Sequence, residues 1–464
     1  QIPSPTLGLI MIAGGVIDGV TLSLGFGLDV ADILVGIILS VGSFAVKLVR
    51  LLSSVVPQGL IAGITERKTR VAIVGASFTG FEVSNILKRD KRMQITLINE
   101  KDYFEFTPGV LRCFVEPDHF RKISFQIPRM NPQLLVGHAN SISDDTVSVQ
   151  PLRSGVSEET VPFDVCVLAL GSSYSGVIKP GKQEPTLHDR ARTWQEASKE
   201  VKAASTIVVL GAGLVGVELV GELVCAHPEK TVYLIDRSKE PCKELPPRAR
   251  EYIQKWMNAR GVQLLLGTSY QAIDKKGAGW ACTLGDGSVI DADLVYRCMG
   301  APPRSEPLKA SPLAASLNPR GCITVTDTLQ VSGSERVFAG GDVMLHAKTG
   351  EVKSGWTAEN NGQLIAENIK RLVEGRELLT YPEGIVGPGK RIPEMCVVSL
   401  GKHDGVFVLN NFVLAGSIAA IAKWAVEWTL VGKARCRPLA SALMGMGESV
   451  IKALFSKAQP PRRQ

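Results

Sequence analysis

From about residue 69 onward, short apolar runs alternate with amphipathic stretches. The run RVAIVG from Arg70 to Gly75 is apolar and β-branched, a glycine-containing turn follows, and the next stretch is helix-like to about Lys88. A second apolar run, ITLIN, covers 95–99. A strand, a glycine turn, a helix and a second strand in this order predict a βαβ unit of the dinucleotide-binding kind.

The same pattern recurs farther along the chain. TIVVLGAGLVG at Thr206 to Gly216 is followed by the helix-like VELVGELVCA and by the apolar run TVYLID, which ends at Asp236. The two turns lie 136 positions apart (211 minus 75). One glycine motif is weak evidence, but two copies that each have a second strand predict an α/β protein with two doubly wound domains.

The second motif contains every residue that nucleotide binding needs. Gly211 allows a sharp turn out of the strand, Gly213 lets the backbone approach a pyrophosphate, and Gly216 lets the helix pack closely on the sheet. The helix N-terminus offers free N–H groups and the positive end of its dipole. Asp236 can accept hydrogen bonds from the adenosine ribose and disfavours a 2′-phosphate, so we predict NADH, although the adjacent Arg237 weakens the preference over NADPH.

The first motif departs from this pattern at two positions. Ser77 stands where the middle glycine is expected, and Asn99 ends the second strand where a carboxylate is usual. Glu100 follows directly. A serine hydroxyl can donate to a phosphate, and an asparagine can bond a ribose less strongly than a charged acceptor. We therefore expect FAD at this motif, in a weakened site.

Seven further segments accompany the two motifs. They are KDYFEFTPGVLR (101–112), VCVLALGSSY (165–174), GVELVGEL (216–223), ELPPRAREYIQKWMNARGV (244–262), DADLVYRCMGAPP (291–303), RVFAGGDV (336–343) and KSGWTAENNGQLIAENI (353–369). With them, the stretch from about 70 to 370 resembles the pyridine-nucleotide flavin oxidoreductases. It is most similar to the apoptosis-inducing-factor-like and ferroptosis-suppressor-type NAD(P)H:quinone reductases, with type II NADH dehydrogenases more distant. Leu170 replaces the threonine that is usual in the second segment.

This resemblance implies an interrupted architecture with five parts. The FAD-type domain would occupy 67–190 and 326–395, with the NAD(H)-binding domain inserted at 191–325. An apolar N-terminal segment, 1–66, and a C-terminal region, 396–464, would flank them as helical extensions. In the family, hydride passes from nicotinamide to flavin, and the flavin passes electrons to quinone, while the protein supplies position and electrostatics.

The resemblance also implies roles for particular residues. Asp342 of the GD pair would hold the FAD ribitol. Lys353 would lie near the flavin, where an ammonium stabilises negative charge on the reduced ring, and it is the one catalytic residue we predict. The predicted cofactor-binding residues are Gly75, Ala76, Ser77, Gly80, Asn99, Glu100, Arg112, Gly171, Gly211, Gly213, Gly216, Glu218, Asp236, Gly300, Gly341 and Asp342.

Composition bears on three further classes of protein: nucleic-acid binders, metal-binding proteins and flavin disulfide reductases. The net charge of +7 comes without a basic run interleaved with aromatics, so we predict no nucleic-acid partner. The nine cysteines form no CxxC pair and no zinc-like spacing with histidine, so we predict no metal site. Cys113 has no cysteine neighbour in the sequence, whereas flavin disulfide reductases need two close cysteines beside the flavin.

The N-terminal part of the chain is unusually apolar. Residues 7–28 are Gly-rich and interrupted by Asp18, and 33–46 carry no charge. Fourteen uncharged residues are fewer than the roughly 20 that span a bilayer, although Lys47 and Arg50 could extend the span by snorkelling. The segment up to residue 56 is therefore a membrane helix, an interfacial helix or a helix against a partner protein, with packing on its own domain as the fourth alternative.

The C-terminal part returns to the same composition. The run at 412–431 is apolar except for Lys423 and Glu427, which are spaced to pair, and Trp424 and Trp428 lie one turn apart. Basic residues follow. This pattern favours an amphipathic helix at a membrane interface, and the alternative is a helix docked on the FAD domain or on a partner. A further apolar-rich stretch covers 439–455.

Two functions are compatible with these observations. The first is a membrane-associated flavoenzyme that passes electrons from NADH through FAD to a quinone-type acceptor. The second is a catalytically weak or inactive subunit of a larger respiratory or photosynthetic membrane complex, which Ser77, Asn99 and Leu170 favour. The chain starts at Gln1 rather than Met, so either a targeting peptide has been removed or the sequence has been trimmed. With a targeting peptide removed, we expect a location at the mitochondrial inner membrane or a plastid (thylakoid) membrane.

Overall fold

The computed structural model describes residues 67–130, 132–152, 155–174, 176–350 and 352–458. The predictions for the apolar segment 1–66 lie outside the described residues. Residues 67–423 and 452–458 belong to one compact body, and 424–451 belong to a second.

The first sheet has seven strands, and the residues that it buries are apolar. Its strands are β1 (Thr69–Val74), β2 (Met93–Asn99), β5 (Gln133–Ile142), β6 (Thr146–Pro151), β7 (Glu159–Pro162), β8 (Val165–Leu168) and β17 (Val337–Ala339). They are ordered β17-β8-β1-β2-β5-β6-β7. Pairing is parallel from β17 to β5 and antiparallel from β5 to β7. β1 and β8 are apolar throughout their buried length, as expected of parallel strands covered on both faces.

The second sheet is parallel and lies in one stretch of the chain. Its strands, in spatial order, are β11 (Gln263–Leu266), β10 (Thr231–Asp236), β9 (Thr206–Leu210) and β15 (Leu294–Arg297). An antiparallel meander packs on it, formed by β12 (Tyr270–Lys276), β13 (Gly279–Leu284) and β14 (Val289–Ala292). Val208, Ile235 and Cys282 share one buried cluster between the two sheets. Since β17 joins the first sheet after this whole unit, the second nucleotide domain is inserted in the first, as predicted. The boundaries at 190, 325 and 395 remain predictions.

Three strand pairs and one three-stranded sheet complete the described strands. They are β3 (Tyr103–Glu105) with β4 (Ser124–Gln126), β16 (Ile323–Val325) with β18 (Met344–His346), β19 (Lys390–Arg391) with β23 (Lys457–Ala458), and β20 (Met395–Ser399) with β21 (Gly405–Leu409) and β22 (Phe412–Ala415).

Nine α-helices lie in the described part of the chain. They are α1 (Phe78–Leu87), α2 (Phe120–Ile123), α3 (Leu187–Ala203), α4 (Leu214–Ala226), α5 (Pro247–Asn258), α6 (Gly355–Val373), α7 (Glu383–Val386), α8 (Ser417–Ala434) and α9 (Pro438–Phe455). Short 3₁₀ helices cover Thr107–Phe114, Pro117–His119, Glu306–Leu308, Pro312–Ser316 and Gly341–Val343. α1 and α4 each begin at a glycine motif, so both motifs have the predicted strand–turn–helix geometry.

The prediction of one helix over 412–431 is wrong at its start. Residues 412–415 form β22, which pairs with β21, and α8 begins at Ser417. Gly416, with φ +93°, makes the turn between them. A short apolar run does not distinguish a buried strand from a helix, because both bury the same side chains. Across the described ranges, no helix combines the length and the apolar character needed to cross a bilayer.

Candidate functional site: two dinucleotide cradles

The two glycine motifs have nearly identical backbone geometry. Gly75 and Gly211 have φ angles of +105° and +104°, a region that L side chains rarely adopt. An ideal Cβ on Gly75 would lie 2.1 Å from the carbonyl oxygen of Ala169, and one on Gly211 would lie 2.7 Å from that of Cys298. Only glycine therefore allows the turn to pass the neighbouring strand at either site.

The third position of each motif has the same requirement, and the middle position does not. A Cβ on Gly80 or Gly216 would lie 1.9 Å from the carbonyl oxygen of Gly75 or Gly211, because the first turn of the helix packs on the glycine turn there. A Cβ on Gly213 would meet nothing within 4 Å. The protein thus leaves space at the middle position, where a phosphate can approach. In the first motif the side chain of Ser77 occupies that position, and it makes no capping bond to α1.

The residues at the ends of the second strands hold the two turns in the same way. The backbone N–H of Ala76 donates to Oδ1 of Asn99 at 3.0 Å, and that of Ala212 donates to Oδ2 of Asp236 at 2.7 Å. Asn99 therefore keeps the structural contact that a carboxylate makes in the intact motif.

The second polar atom of each side chain faces a different kind of hydrogen-bonding group, an acceptor at Asn99 and a donor at Asp236. Nδ2 of Asn99 donates to the carbonyl oxygen of Lys101 at 2.7 Å, whereas Oδ1 of Asp236 accepts from the N–H of Ser238 at 2.6 Å. Since one neighbour is an acceptor and the other a donor, an amide fits the first turn and a carboxylate fits the second.

Glu100 is held by an ion pair at the end of β2. Its Oε2 accepts from Arg304 at 2.6 Å, and its Oε1 lies 3.0 Å from Nδ1 of His138. Burial raises the pKa of Glu100, but the charges and hydrogen bonds of Arg304 and His138 lower it more, so the carboxyl stays below its ordinary pKa. The carboxylate therefore has two protein partners before any ribose is considered.

The GD turn, at 341–342, contacts two side chains that follow strand β8 in the sequence, Ser172 and Lys179. Ser172 donates from Oγ to Oδ2 of Asp342 at 2.6 Å, and Nζ of Lys179 lies 3.1 Å from the same oxygen. Lys179 also contacts the Ser172 hydroxyl. Burial raises the pKa of Asp342, but the charge of Lys179 and these hydrogen bonds outweigh it, so the pKa is lower than usual. The carboxylate predicted to hold the ribitol is thus kept ionised.

The neighbouring glycines have the positive φ angles that these turns require. The angles are 70° at Gly171, 69° at Gly300 and 77° at Gly341. The N–H of Gly341 donates to Oδ1 of the fully buried Asn361 at 3.0 Å, which fixes the GD turn against α6.

Lys353 lies beside the GD turn and contacts the backbone. Its Nζ donates to the carbonyl oxygen of Met344 at 2.6 Å and to that of Gly341 at 3.3 Å. The ammonium is therefore positioned at the same turn as Asp342. Its role toward the flavin stays a prediction.

Two further predicted residues connect the cradles to other elements. Arg112 forms an ion pair with Glu222 of α4, at 3.1 Å between Nη2 and Oε1. Oε1 of Glu218, also on α4, accepts from the N–H and hydroxyl of Ser399 at 2.8 and 3.0 Å and from Lys423 at 2.9 Å. Both side chains have protein partners, and their contact with a cofactor remains a prediction.

Sequence reasoning missed several residues that complete the cradles. Lys179 and Ser172 hold Asp342, Arg304 holds Glu100, and Asn361 holds Gly341. No spacing rule marks them, because each contacts a residue that is distant in the chain. All nine cysteines are free in the structure, and Cys113 is buried.

The donor groups suit two dinucleotides. Each cradle combines a glycine turn, an open helix N-terminus and a polar side chain at the end of the second strand, which together match a diphosphate and a ribose. The first cradle adds the ionised Asp342 for a polyol chain. Such a pair of cradles defines a flavin-dependent NAD(P)H oxidoreductase.

Comparison with known proteins agrees with this class. Residues 69–363 match the model of the pyridine nucleotide-disulphide oxidoreductase family, and the chain belongs to that family. It is 29% identical over 370 residues to ferroptosis suppressor protein 1 of Xenopus laevis, covering 77% of this chain and 93% of that protein. It is 25% identical over 372 residues to apoptosis-inducing factor homolog A of Dictyostelium discoideum, covering 75% and 87%.

A solved structure shows the same fold. The sulfide:quinone oxidoreductase from the hyperthermophilic bacterium Aquifex aeolicus aligns with a TM-score of 0.64 and 17% identity, over 85% of this chain and 98% of that one. The predicted family resemblance and fold class are confirmed, and FAD and NAD(H) are the cofactors that the family and the site support.

Proposed function

We propose that this protein passes electrons from NADH through FAD to a quinone-type acceptor at an organellar membrane. The observation that carries the proposal is the presence of two cradles with matching geometry in one chain, one with Asp236 and one with Asp342. A nicotinamide site alone would serve many dehydrogenases, whereas a second cradle with a GD turn indicates a flavin relay.

The residues of the chain divide the work between the cradles. Gly211, Gly213 and the N-terminus of α4 bind the NADH diphosphate, and Asp236 accepts from its ribose. Ser77 and the N-terminus of α1 bind the FAD diphosphate, while Asp342 and its partner Lys179 orient the polyol. FAD bound there would supply the chemistry of hydride acceptance and electron release. Lys353 stabilises negative charge near the GD turn.

The C-terminal region supports a membrane-facing acceptor. Eight of the twelve exposed large hydrophobic side chains of the described residues lie between 412 and 455, so the apolar surface is concentrated in one part of the chain. They are Phe412, Ile418, Ile421, Leu443, Met446, Val450, Leu454 and Phe455. Apolar residues of this kind with nearby bases suit a lipid interface, and a quinone acceptor dissolves in the same lipid. We propose a mitochondrial or plastid membrane on this basis.

The first experiment tests flavin and reductant together. The protein is purified in mild detergent, and its visible spectrum is recorded before and after NADH is added without oxygen. We expect about one flavin per chain that bleaches with NADH, followed by reoxidation on addition of a short-chain quinone. If the flavin bleaches and is reoxidised by oxygen or ferricyanide but not by any quinone, the proposal of a quinone acceptor is wrong.

Vesicle flotation tests the membrane part separately. The intact protein should float with liposomes containing anionic lipid, and Phe412→Ser with Ile418→Ser should lower the bound fraction several-fold. Met130→Ser is the matched control, because Met130 is 84% exposed and far from 412–455 in the sequence. Equal flotation of the two variants would contradict membrane binding through this region.

A second candidate function is an accessory subunit of a larger organellar membrane complex. Ser77 favours it, because its side chain occupies the space that the second cradle leaves open at Gly213. In that case the purified protein would be colourless, FAD would not reconstitute it, and it would co-purify with other membrane proteins.

A further inference from the structure

A buried glutamate occupies the same position in each of the two nucleotide motifs. Glu82 lies seven residues after Gly75 (82 minus 75), and Glu218 lies seven residues after Gly211 (218 minus 211). Each is the fifth residue of its helix, α1 or α4. As whole residues they are 8% and 7% exposed, so each lies inside the protein. Each is about 6 Å along the helix axis from the first helical residue.

A lysine of the C-terminal region contacts the second glutamate directly. Nζ of Lys423, in α8, lies 2.9 Å from Oε1 of Glu218, and the two side chains are 14% and 10% exposed. Lys423 also donates to the carbonyl oxygen of Val397 at 3.2 Å. The helix that carries Glu218, α4, packs closely against the backbone at Gly401, since a Cβ on Gly221 would lie 2.9 Å from the backbone N of Gly401.

A second C-terminal lysine reaches the first glutamate through one amide. Nζ of Lys452, in α9, donates to Oε1 of Gln363 at 2.9 Å. Nε2 of the same amide donates to Oε1 of Glu82 at 3.5 Å. The orientation of the amide is fixed, because only its oxygen can accept from an ammonium and only its nitrogen can donate to a carboxylate. Lys452 also lies 5.3 Å from the ring centroid of Trp356.

The two lysines stand at the two places where the chain crosses from one compact body to the other. The chain leaves the nucleotide-binding body after Lys423 and returns to it at Lys452. Lys423 contacts Glu218 on the helix of the NAD(H) motif, and Lys452 contacts Gln363, which in turn contacts Glu82 on the helix of the FAD motif.

The electrostatic consequence follows from the helix geometry. A helix N-terminus attracts a diphosphate through its N–H groups and its dipole. A carboxylate within two turns of that end opposes the same anion, and its effect is strong because burial lowers the local dielectric constant. A lysine beside the carboxylate cancels this repulsion, so its removal leaves a buried, less compensated negative charge behind the phosphate site.

We propose that Lys423 and Lys452 are paired positioning residues, Lys423 for the NAD(H) cradle and Lys452 for the FAD cradle. Each sets the affinity of one nucleotide by neutralising the glutamate that lies seven residues after the first glycine of that motif. The inference concerns cofactor binding and does not depend on which acceptor receives the electrons.

Single substitutions test whether the two effects separate. Lys423→Gln should raise the Kd for NADH, measured by titration calorimetry, by on the order of tenfold and leave FAD retention unchanged. Lys452→Gln should weaken FAD retention after dilution about threefold, less because the contact passes through Gln363, and leave the Kd for NADH unchanged. Lys423→Arg, which keeps the charge, should restore NADH affinity.

The matched control is Lys433, which lies between Lys423 and Lys452 in the sequence. Lys433 is on α8 and pairs with Glu448 at 3.4 Å, both inside 424–451, so Lys433→Gln removes the same charge and should change neither affinity. A second variant excludes a purely structural role: Glu218→Gln combined with Lys423→Gln should bind NADH more tightly than Lys423→Gln alone. The proposal is overturned if Lys423→Gln and Lys452→Gln each change NADH affinity and FAD retention equally. It is also overturned if Lys433→Gln changes these quantities as much as they do.

Discussion

Asn99 and Asp236 make the same backbone contact in the two nucleotide cradles, but their remaining atoms face opposite partners. Each accepts from the alanine N–H of its glycine turn, at 3.0 and 2.7 Å. Beyond that bond, Asn99 donates to Lys101 O, and Asp236 accepts from Ser238 N. The replacement in the first cradle is therefore matched by the backbone that follows it.

Reciprocal exchange of these residues should destabilise both cradles. Asn99→Asp places a carboxylate oxygen against the Lys101 carbonyl, and Asp236→Asn places an NH₂ group against one of two N–H donors. We expect a loss of about 1–2 kcal/mol of unfolding free energy in each case, because a partly buried polar group loses its partner. Denaturant unfolding measures this, with flavin content as a second readout. A more stable Asn99→Asp variant with more FAD would show that the first cradle is simply degenerate.

Ser77 can be tested by placing the same side chain in the second cradle. In Gly213→Ser the new Cβ would meet no protein atom within 4 Å, so we expect little change in the melting temperature. The added side chain stands where the diphosphate approaches, and we expect NADH affinity to fall about tenfold, as for the loss of one good phosphate contact. Gly216→Ala is the contrasting variant, since its Cβ would lie 1.9 Å from Gly211 O and should disrupt folding. Unchanged NADH affinity in Gly213→Ser would mean that a serine is harmless at this position.

The Asp342–Lys179 contact should make flavin retention pH-dependent. The pKa of Asp342 is lowered in the folded protein, so its ionised form contributes above the ordinary carboxyl pKa and is lost as the pH falls. Lys179→Gln removes the largest influence that lowers this pKa, and burial then raises it. We expect the variant to release FAD at a higher pH than the unmodified protein, and Lys179→Arg to behave normally. Identical release profiles for all three proteins would refute the link.

A fully buried ion pair fixes the region beside the first cradle. Arg190 donates to both carboxylate oxygens of Glu105, at 2.7 and 3.2 Å, and both side chains are 0% exposed. Arg190→Met strands a buried carboxylate and should cost about 3–5 kcal/mol of unfolding free energy. The double variant Arg190→Met with Glu105→Leu should recover part of that loss, because it removes the buried Glu105 carboxylate, while Glu184, which Arg190 contacts at 3.0 Å, still loses an ion-pair partner. A double variant as unstable as the single one would indicate that packing, and not charge, dominates.

The sequence was sufficient for the parts of the site that depend on local spacing. Gly75, Gly211 and Asp236 were predictable because a strand, a tight turn and a helix require them at fixed intervals. The contacts of Lys179, Arg304 and Lys423 were not, since they join residues 163, 204 and 205 positions apart and no local rule selects the partner. The shared spacing of Glu82 and Glu218 is present in the sequence, although only Glu218 was predicted as a site residue, and no spacing marks their lysine partners.

The order of the strands also determines the order in which the protein can be completed. β8 is buried along its whole length, yet its neighbour β17 begins 169 residues later (337 minus 168). At ribosomal rates of about 5–20 residues per second, that edge waits roughly ten to thirty seconds for its partner. The NAD(H) sheet, whose strands are contiguous, is finished within this interval. In a chain that folds as it is synthesised, the β8 edge is therefore open during this interval, and Asp342 joins the flavin cradle after the four strands of the NAD(H) sheet have been made.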